Sequence, residues 1–475
     1  MTLPSGRHLL LALALGTSLH TVAMAQPSPL EPQPASSSTT TSPAQAPGVA
    51  LGVEDAISKA LESNLRTRLA RERINEAEAG LAAAYSAFSP RVNLEGGQYN
   101  RSVNLAAQGL SGSDLPVPTR IGPFFSFETQ LQVVYRLYDA GRAWGVRNGQ
   151  IEKHLSELQA EMETKAVTVL TSGTYILLLE GREKQRVSEA DVALAERLEI
   201  QARNLEIAGV AAGVDLTRAQ TRLAQRRLQL TQDQEQVRNL ERQLLRLTGL
   251  PLTERLVLDD RLLNLPNPFP TLDETVVLAR ENRLEVTVAQ EQVALTESRL
   301  HQAEAGDAPT VDLVGGAGIA GNTPSWNSSF VHSVGLSVTV PLWDGGLTRA
   351  QSDAARSRIA QSKMQLDDTL IQVESEVRDA YSQLLTAQQS MVTAAQAETL
   401  AQQELEMTQD RFGVGLTNNV ELLASEEALT TARFSRLQAL ANYNVGLIRL
   451  ASASGRPDLL LEAFRQANTK GATDE

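Results

Sequence analysis

The second half of this chain is written over the first, and that constrains the fold more than any other feature. Pro90-Arg91-Val92-Asn93-Leu94 falls on Pro309-Thr310-Val311-Asp312-Leu313 at an offset of 219, which also carries Val53-Glu54-Asp55 onto Leu272-Asp273-Glu274. Further along, Leu137-Tyr138-Asp139-Ala140-Gly141 falls on Leu342-Trp343-Asp344-Gly345-Gly346 at an offset of 205. Gly209, Val214-Asp215-Leu216 and Gly249 then fall on Gly415, Val420-Glu421-Leu422 and Gly455 at 206. Any architecture assigned to one half must therefore serve the other. The drop from 219 to 205 puts a 14-residue length difference between the Pro and the Asp-x-Gly of each unit. Length varies in loops, so a loop is expected there.

Each unit reads helix, strand, strand, long helix, helix. Leu51 to Phe88 and Leu272 to Ala305 carry apolar residues at helical spacing and stop before Pro90 and Pro309. Ile151, Leu155, Leu158, Met162, Ala166 and Val169 form one seam in steps of three and four. Leu216, Leu223, Leu230, Val237 and Leu244 follow in strict heptads, the spacing of coiled-coil packing. No Pro occurs from Gly141 to Ala208, so one helix of roughly 100 Å is expected there.

Between the helices the period changes to two. Phe125, Phe127, Thr129, Leu131, Val133, Tyr135 and Leu137 share one face, opposite Ser126, Glu128, Gln130, Gln132 and Arg136. In the second unit Phe330, Val334, Leu336, Val338, Val340 and Leu342 lie opposite Ser333, Gly335, Ser337 and Thr339. About ten alternating residues per strand is the pattern of a transmembrane β-barrel; a soluble sheet with one buried face alternates in the same way. An export signal, and the absence of another apolar layer to cover that face, favour the membrane. Four strands cannot close a barrel and open edges are not tolerated in lipid, so the barrel must be shared between chains. Two chains would give a filled barrel, and three would leave room for a pore.

The compartment follows from the start of the chain. Arg7 and His8 precede the apolar run Leu9 to Leu15, and Ala23-Met24-Ala25 offers a cleavage site, so 1–25 reads as a secretory signal peptide. No Cys follows it, which excludes a lipid anchor there. The Pro/Ser/Thr/Ala tract 26–49 reads as a disordered linker. The remaining divisions are a first repeat at 50–249 with strands near 91–100 and 124–138, and a connector at 250–270. A second repeat follows at 271–455 with strands near 310–320 and 330–342, then a C-terminal tail at 456–475. With no Cys, only His154, His301 and His332 beyond the leader, and a net charge of −13, neither a thiolate site, a metal centre nor nucleic-acid binding is expected. No catalytic constellation points to an enzyme, and no cofactor is implied.

These residues together resemble the TolC-like outer-membrane efflux channels, over essentially all of Gly52 to Leu459. The resemblance rests on the duplication and on the Pro before each first strand. It rests also on Val340-Pro341-Leu342-Trp343-Asp344-Gly345-Gly346 between strand and long helix, and on Gly413-Val414-Gly415-Leu416-Thr417 followed by Val420-Glu421-Leu422-Leu423. It implies a homotrimer in the bacterial outer membrane, extending into the periplasm. Its fold would be a 12-stranded transmembrane barrel on an all-α, coiled-coil tunnel of 12 helices. It further implies a passive, non-enzymatic exit duct that docks a periplasmic adaptor and an inner-membrane pump. The turn Val414, Gly415 and Leu416 matches the family's adaptor-docking tip, with Gly209 and Val210 as repeat counterparts. Glu421 matches a carboxylate that rings the closed end of the tunnel, and Asp215 is its repeat equivalent. A second carboxylate, common one turn later, is replaced here by Ala424, and a basic lock beside the turn is replaced by Thr417. The competing class is a periplasmic coiled-coil adaptor without a pore, which would leave the two strand pairs unexplained.

Three motifs are set aside. Gly316-Ala317-Gly318-Ile319-Ala320-Gly321 fits G-x-G-x-x-G but lacks a following helix, and glycine where strands crowd explains it better. Gly109-Leu110-Ser111-Gly112-Ser113 is loop composition. Glu426 and Glu427 are expected on solvated helix faces.

Overall fold

The computed structural model describes residues 49–105, 107, 118–209, 212–323, 328–414 and 416–471. The leader, nearly all of the linker and the loop from Gly109 to Pro116 lie outside the described residues.

The chain opens with a short strand β1 (Val49–Leu51), then helices α1 (Val53–Ser63) and α2 (Leu65–Ser86). Strands β2 (Arg91–Asn104) and β3 (Arg120–Tyr138) follow, then the long helix α3 (Ala140–Ile207) and α4 (Gly213–Thr248). After β4 (Leu256–Leu258) the order recurs with α5 (Leu272–Asn282), α6 (Leu284–Glu304), β5 (Thr310–Gly321) and β6 (Ser329–Thr339). The helices α7 (Leu347–Gly413), α8 (Asn419–Ala453) and α9 (Asp458–Gly471) complete the chain.

The Pro-free stretch does form one helix: α3 has 68 residues and α7 has 67. Each begins at an Asp-x-Gly. Asp139 accepts hydrogen bonds from the backbone N–H of Gly141 (2.9 Å) and Arg142 (3.3 Å), and Asp344 from those of Gly346 (2.8 Å) and Thr348 (2.6 Å). A carboxylate on the otherwise unpaired N–H groups of a helix start is favoured by both hydrogen bonding and the helix dipole.

Several boundaries differ from expectation. The first helix of each unit is broken, at Asn64 and at Arg283, positions related by the 219 offset. Both residues are extended (ψ 136° and 119°). Asn64 uses its side chain to accept from Arg66 N at 2.9 Å, which caps the second segment. Arg283 is anchored to Glu285 and Glu376 at 2.9 and 2.8 Å and donates to Ala453 O at 3.2 Å. Leu51 and Val49 belong to β1 and not to a helix or linker. Within the connector, β4 pairs parallel with β1 from Val49↔Leu256 to Leu51↔Leu258. The C-terminal tail contains α9, whose Leu460, Ala463 and Phe464 are buried. Strand β6 ends at Thr339 because Pro341 has no N–H to extend the ladder. Along α3 the seam is buried at Ile151, Leu155 and Leu158 but passes from Ala166 to Val167. A 3.5-residue spacing drifts round a 3.6-residue helix over several turns.

The main hydrophobic core gathers at mid-helix, where β1, β4, α1, α5 and α9 surround α3 and α7. Tyr175 is fully buried there, its Oη 2.7 Å from Asp260 Oδ2 and 3.0 Å from Leu51 O. Asp260 Oδ2 also accepts from Val53 N at 2.9 Å. One carboxylate thus clasps the connector to the start of α1.

The four strands form one sheet in the order β2-β3-β5-β6, every pair antiparallel. Register decides its chemistry. Leu94 opposes Leu131, which opposes Ala317, and Tyr135 opposes Leu313, which opposes Leu336. On the other face Glu95 opposes Gln130, which opposes Gly318. Apolar residues thus share one side across all four strands. Gly318 shows why glycine sits there: a Cβ would lie 2.1 Å from Thr129 O. Arg136 grips Asp312 through two bonds of 2.7 and 3.2 Å and reaches Asp139 at 3.1 Å, joining both units to the start of α3.

Candidate functional site

The expected residues fall on two turns, one at the end of α3 and one at the end of α7. At the end of α3, Ala208 N donates to Asn204 O, and Gly209 takes φ +70° with its N–H 2.9 Å from Glu206 O. A positive φ is the backbone state that glycine adopts without strain. Val210 lies outside the described residues. At the end of α7, Leu416 N donates to Arg411 O at 2.8 Å, and Asn418 accepts from Glu421 N at 3.0 Å to cap α8. Gly415 is likewise outside the described residues. Apolar side chains project from these ends: Val414 and Leu416 are 72% and 71% exposed. Ile207, Val214 and Val420 are exposed beside them.

Glu421 lies in the first turn of α8, half exposed, where the helix dipole favours a carboxylate. Thr417 Oγ1 donates to its Oε2, and Arg411 Nη1 lies 3.6 Å from its Oε1. The residue at the basic-lock position therefore does engage the carboxylate as a hydroxyl. The cation comes instead from the last turn of α7. Asp215 pairs with Arg218 on its own helix at 3.4 Å. The two tips thus exchange the positions of their basic residue: Leu205 stands at the equivalent of Arg411, and Ala424 at the equivalent of Arg218. Arg411 was missed by reading the sequence forward from the turn; a basic residue in the final turn of a helix was the available signal.

Glu426 overturns an expectation. It is 7% exposed, between α8 and the α3–α4 hairpin, whereas its neighbour Glu427 is exposed and takes ion pairs from Arg222 and, at 3.0 Å, Arg226. Burial pushes the Glu426 carboxyl up to about 7, with Arg222 and Arg226 opposing the shift and Asp191 adding to it. The same burial raises Asp191. Leu422, Ser425 and Leu429 on the same stripe are buried too, so Glu426 falls at i+4 and i−3 of core leucines. That spacing was the sign in the sequence that it faces inward.

The sheet supplies the second surface. Its apolar face is bare in the single chain: Leu94 is 73%, Val334 79% and Leu336 63% exposed. Its edge strands β2 and β6 have no further partner among the described residues. No described helix is long and apolar enough to cross a membrane, and no described cluster of three or more His, Asp or Glu could hold a metal. The glycine-rich motif at 316–321 lies within β5.

Known proteins share this arrangement. A family model described as outer membrane efflux protein matches residues 56–250 and 275–456, once for each unit. The alkaline protease secretion protein AprF of Pseudomonas aeruginosa is 25% identical over 426 residues, covering 86% of this chain and 85% of that one. Protein CyaE of Bordetella pertussis is 25% identical over 408 residues, 82% and 81% of the two chains. Among solved structures, the CmeC outer membrane channel of Campylobacter jejuni matches with a TM-score of 0.71 at 16% identity. The match covers 87% of this chain and 89% of that one. VceC of Vibrio cholerae gives 0.68 at 18% identity, covering 85% and 96%.

Proposed function

The chain belongs to the outer membrane efflux protein family, and from that we propose that it is the outer-membrane exit duct of a tripartite efflux or secretion system. It conducts passively what an inner-membrane pump delivers through a periplasmic adaptor. The adaptor alternative falls away, because the family match spans both strand-bearing units. The observation that carries the proposal is the sheet, with a register-aligned apolar face left bare and two edges left open, set on helices of 68 and 67 residues.

Closing those edges in lipid requires other copies. Three chains supply twelve strands, enough for a water-filled lumen behind Glu95, Glu128, Gln130 and Gln132, with the apolar face turned to lipid. The two hairpins of each chain then contribute to a tunnel whose far end carries the tip turns. Val414, Leu416 and Thr417, with Gly209 opposite, offer the adaptor an apolar docking surface, and Glu421 with Asp215 sets the charge at the narrow end. Residues 1–25 direct export and 26–48 tether β1. The names of AprF and of the pyoverdine export outer membrane protein OpmQ of Pseudomonas aeruginosa point to cargo as unlike as an alkaline protease and pyoverdine, which suits a duct that does not itself select.

The test is the mass of the protein extracted in detergent from outer membranes. Mass photometry giving three chains supports the shared barrel, and only monomers under gentle extraction would remove its basis.

A further inference from the structure

A polar layer crosses the helices at a depth of roughly 10 to 25 Å from the tip, counted at 1.5 Å per residue from the helix ends. It contains two carboxylates, Asp191 on α3 and Glu426 on α8, each 7% exposed. The arginines that act on them from a distance make their direct ion pairs with other carboxylates. Arg222 and Arg226 of α4 pair with Glu427 of α8. Arg433 of α8 turns to α7, pairing with Glu398 (3.8 Å) and donating to Gln402 (3.2 Å). Lys184 of α3 lies 3.5 Å from Asp233 of α4. Asp191 accepts a hydrogen bond from Thr430, while its Oδ2 is buried without a partner. Glu426 takes no ion pair among the described residues. Two buried carboxyls without cations of their own cannot both stay ionised at low cost.

We propose that Glu426, with Asp191 buried in the same layer, forms a proton-operated catch, Glu426 holding a proton while α8 lies against the α3–α4 hairpin and releasing it to water when the two part. The inference concerns regulation of the duct and rests on that reading. The Asp191 charge adds to the rise that burial imposes on Glu426. Parting the helices hydrates both groups and returns them to the ordinary carboxyl range, so opening loses a proton and is favoured as pH rises. The opening equilibrium rises by at most about tenfold per pH unit per chain, between the ordinary range and about 7, and levels off above. The flanking arginines damp this response without reversing it.

The chain has no Cys, so Gln225→Cys with Ala424→Cys, both exposed, places one spin label on α4 and one on α8. In the purified full-length protein, the label distance should lengthen as pH is raised from about 5 to about 8. In Glu426→Gln the acid-side distance should persist across the range, and Asp191→Asn should reduce the lengthening, since burial of Glu426 remains. An unchanged distance in the parent protein, or the same lengthening in both variants, overturns the catch. Planar-bilayer conductance of the same proteins separates the two readings. Absence of any conductance with an intact distance response strikes at the duct, whereas conductance without a distance response strikes at the catch alone.

Discussion

Arg411 changes what Glu421 can do at the tip, and the change can be measured. In the proposed trimer, three bare carboxylates at the tip, each about 10 Å from a monovalent ion on the axis, would attract it by about 0.4 kcal/mol apiece in a water-like dielectric. Together that is an enrichment of about eightfold for cations. With a guanidinium 3.6 Å from each carboxylate, most of that field cancels, leaving an enrichment under about twofold. Both partners are about half exposed, so the pair adds at most about 1 kcal/mol to stability. Neutralising either partner should therefore leave folding intact. Reversal potentials across planar bilayers under a salt gradient should rank Arg411→Gln as most cation-selective and the parent as weakly so. Glu421→Gln, which leaves three uncompensated guanidinium groups, should be shifted toward anions. The double variant should return close to the parent, and the differences should fade at about 1 M salt. Identical potentials for Arg411→Gln and the parent would show that this pair does not face the conduction path, and Asp215 with Arg218 would become the pair to test.

Further outcomes follow from other parts of the structure. Tyr175→Phe should lower stability by about 2–3 kcal/mol, since a buried hydroxyl bonded to a carboxylate is lost; a melting curve that does not move would deny the clasp. Glu426→Gln should melt above the parent at about pH 8 and alike at about pH 4. The raised carboxyl favours the fold below 4.5 and loses that contribution as pH climbs to about 7, a difference of about 3 kcal/mol at most. Gly455→Ala should destabilise strongly, because φ is +75° and a Cβ would lie 2.7 Å from Asn282 O; wild-type thermal stability would contradict the close approach. An epitope inserted between Gly109 and Pro116 should be labelled on intact cells if the β2–β3 connection faces the outside, and labelling only after permeabilisation would put that end of the strands in the periplasm.

How far the molecule was legible depended on whether a feature is local. The absence of Pro and a continuous seam are local facts, and they located α3 to within a residue at each end. Period-two alternation likewise placed the apolar face, and the ladder Leu94, Leu131, Ala317 aligned it across strands. What escaped was decided by distant partners. Asn64 is a capping residue, but one Asn does not locate a break, and Arg283 carries no local signal at all; both also dock to distant carbonyls, Asn64 to Leu247 O and Arg283 to Ala453 O. The stretch 456–475 reads as a tail, yet Leu460 and Phe464 carry a further helix onto the core. At the tip, the turn residues were legible from the repeat. Arg411 and the burial of Glu426 were not, because each depends on which helix lies opposite.

The ion pair between Arg136 and Asp312 joins residues 176 apart in the chain, and this orders assembly. Strands β2 and β3 can zip as one local hairpin, and β5 and β6 as another, each within a short loop closure. The central seam β3–β5 must close over all of the chain between them, from α3 through α6. Seams of such high sequence separation are slow to form. The seam is therefore expected to close late, leaving two separate, half-greasy hairpins until it does. A substitution in the buried clasp around Tyr175 would then reveal itself as a chain stranded before insertion, with every lipid-facing residue intact.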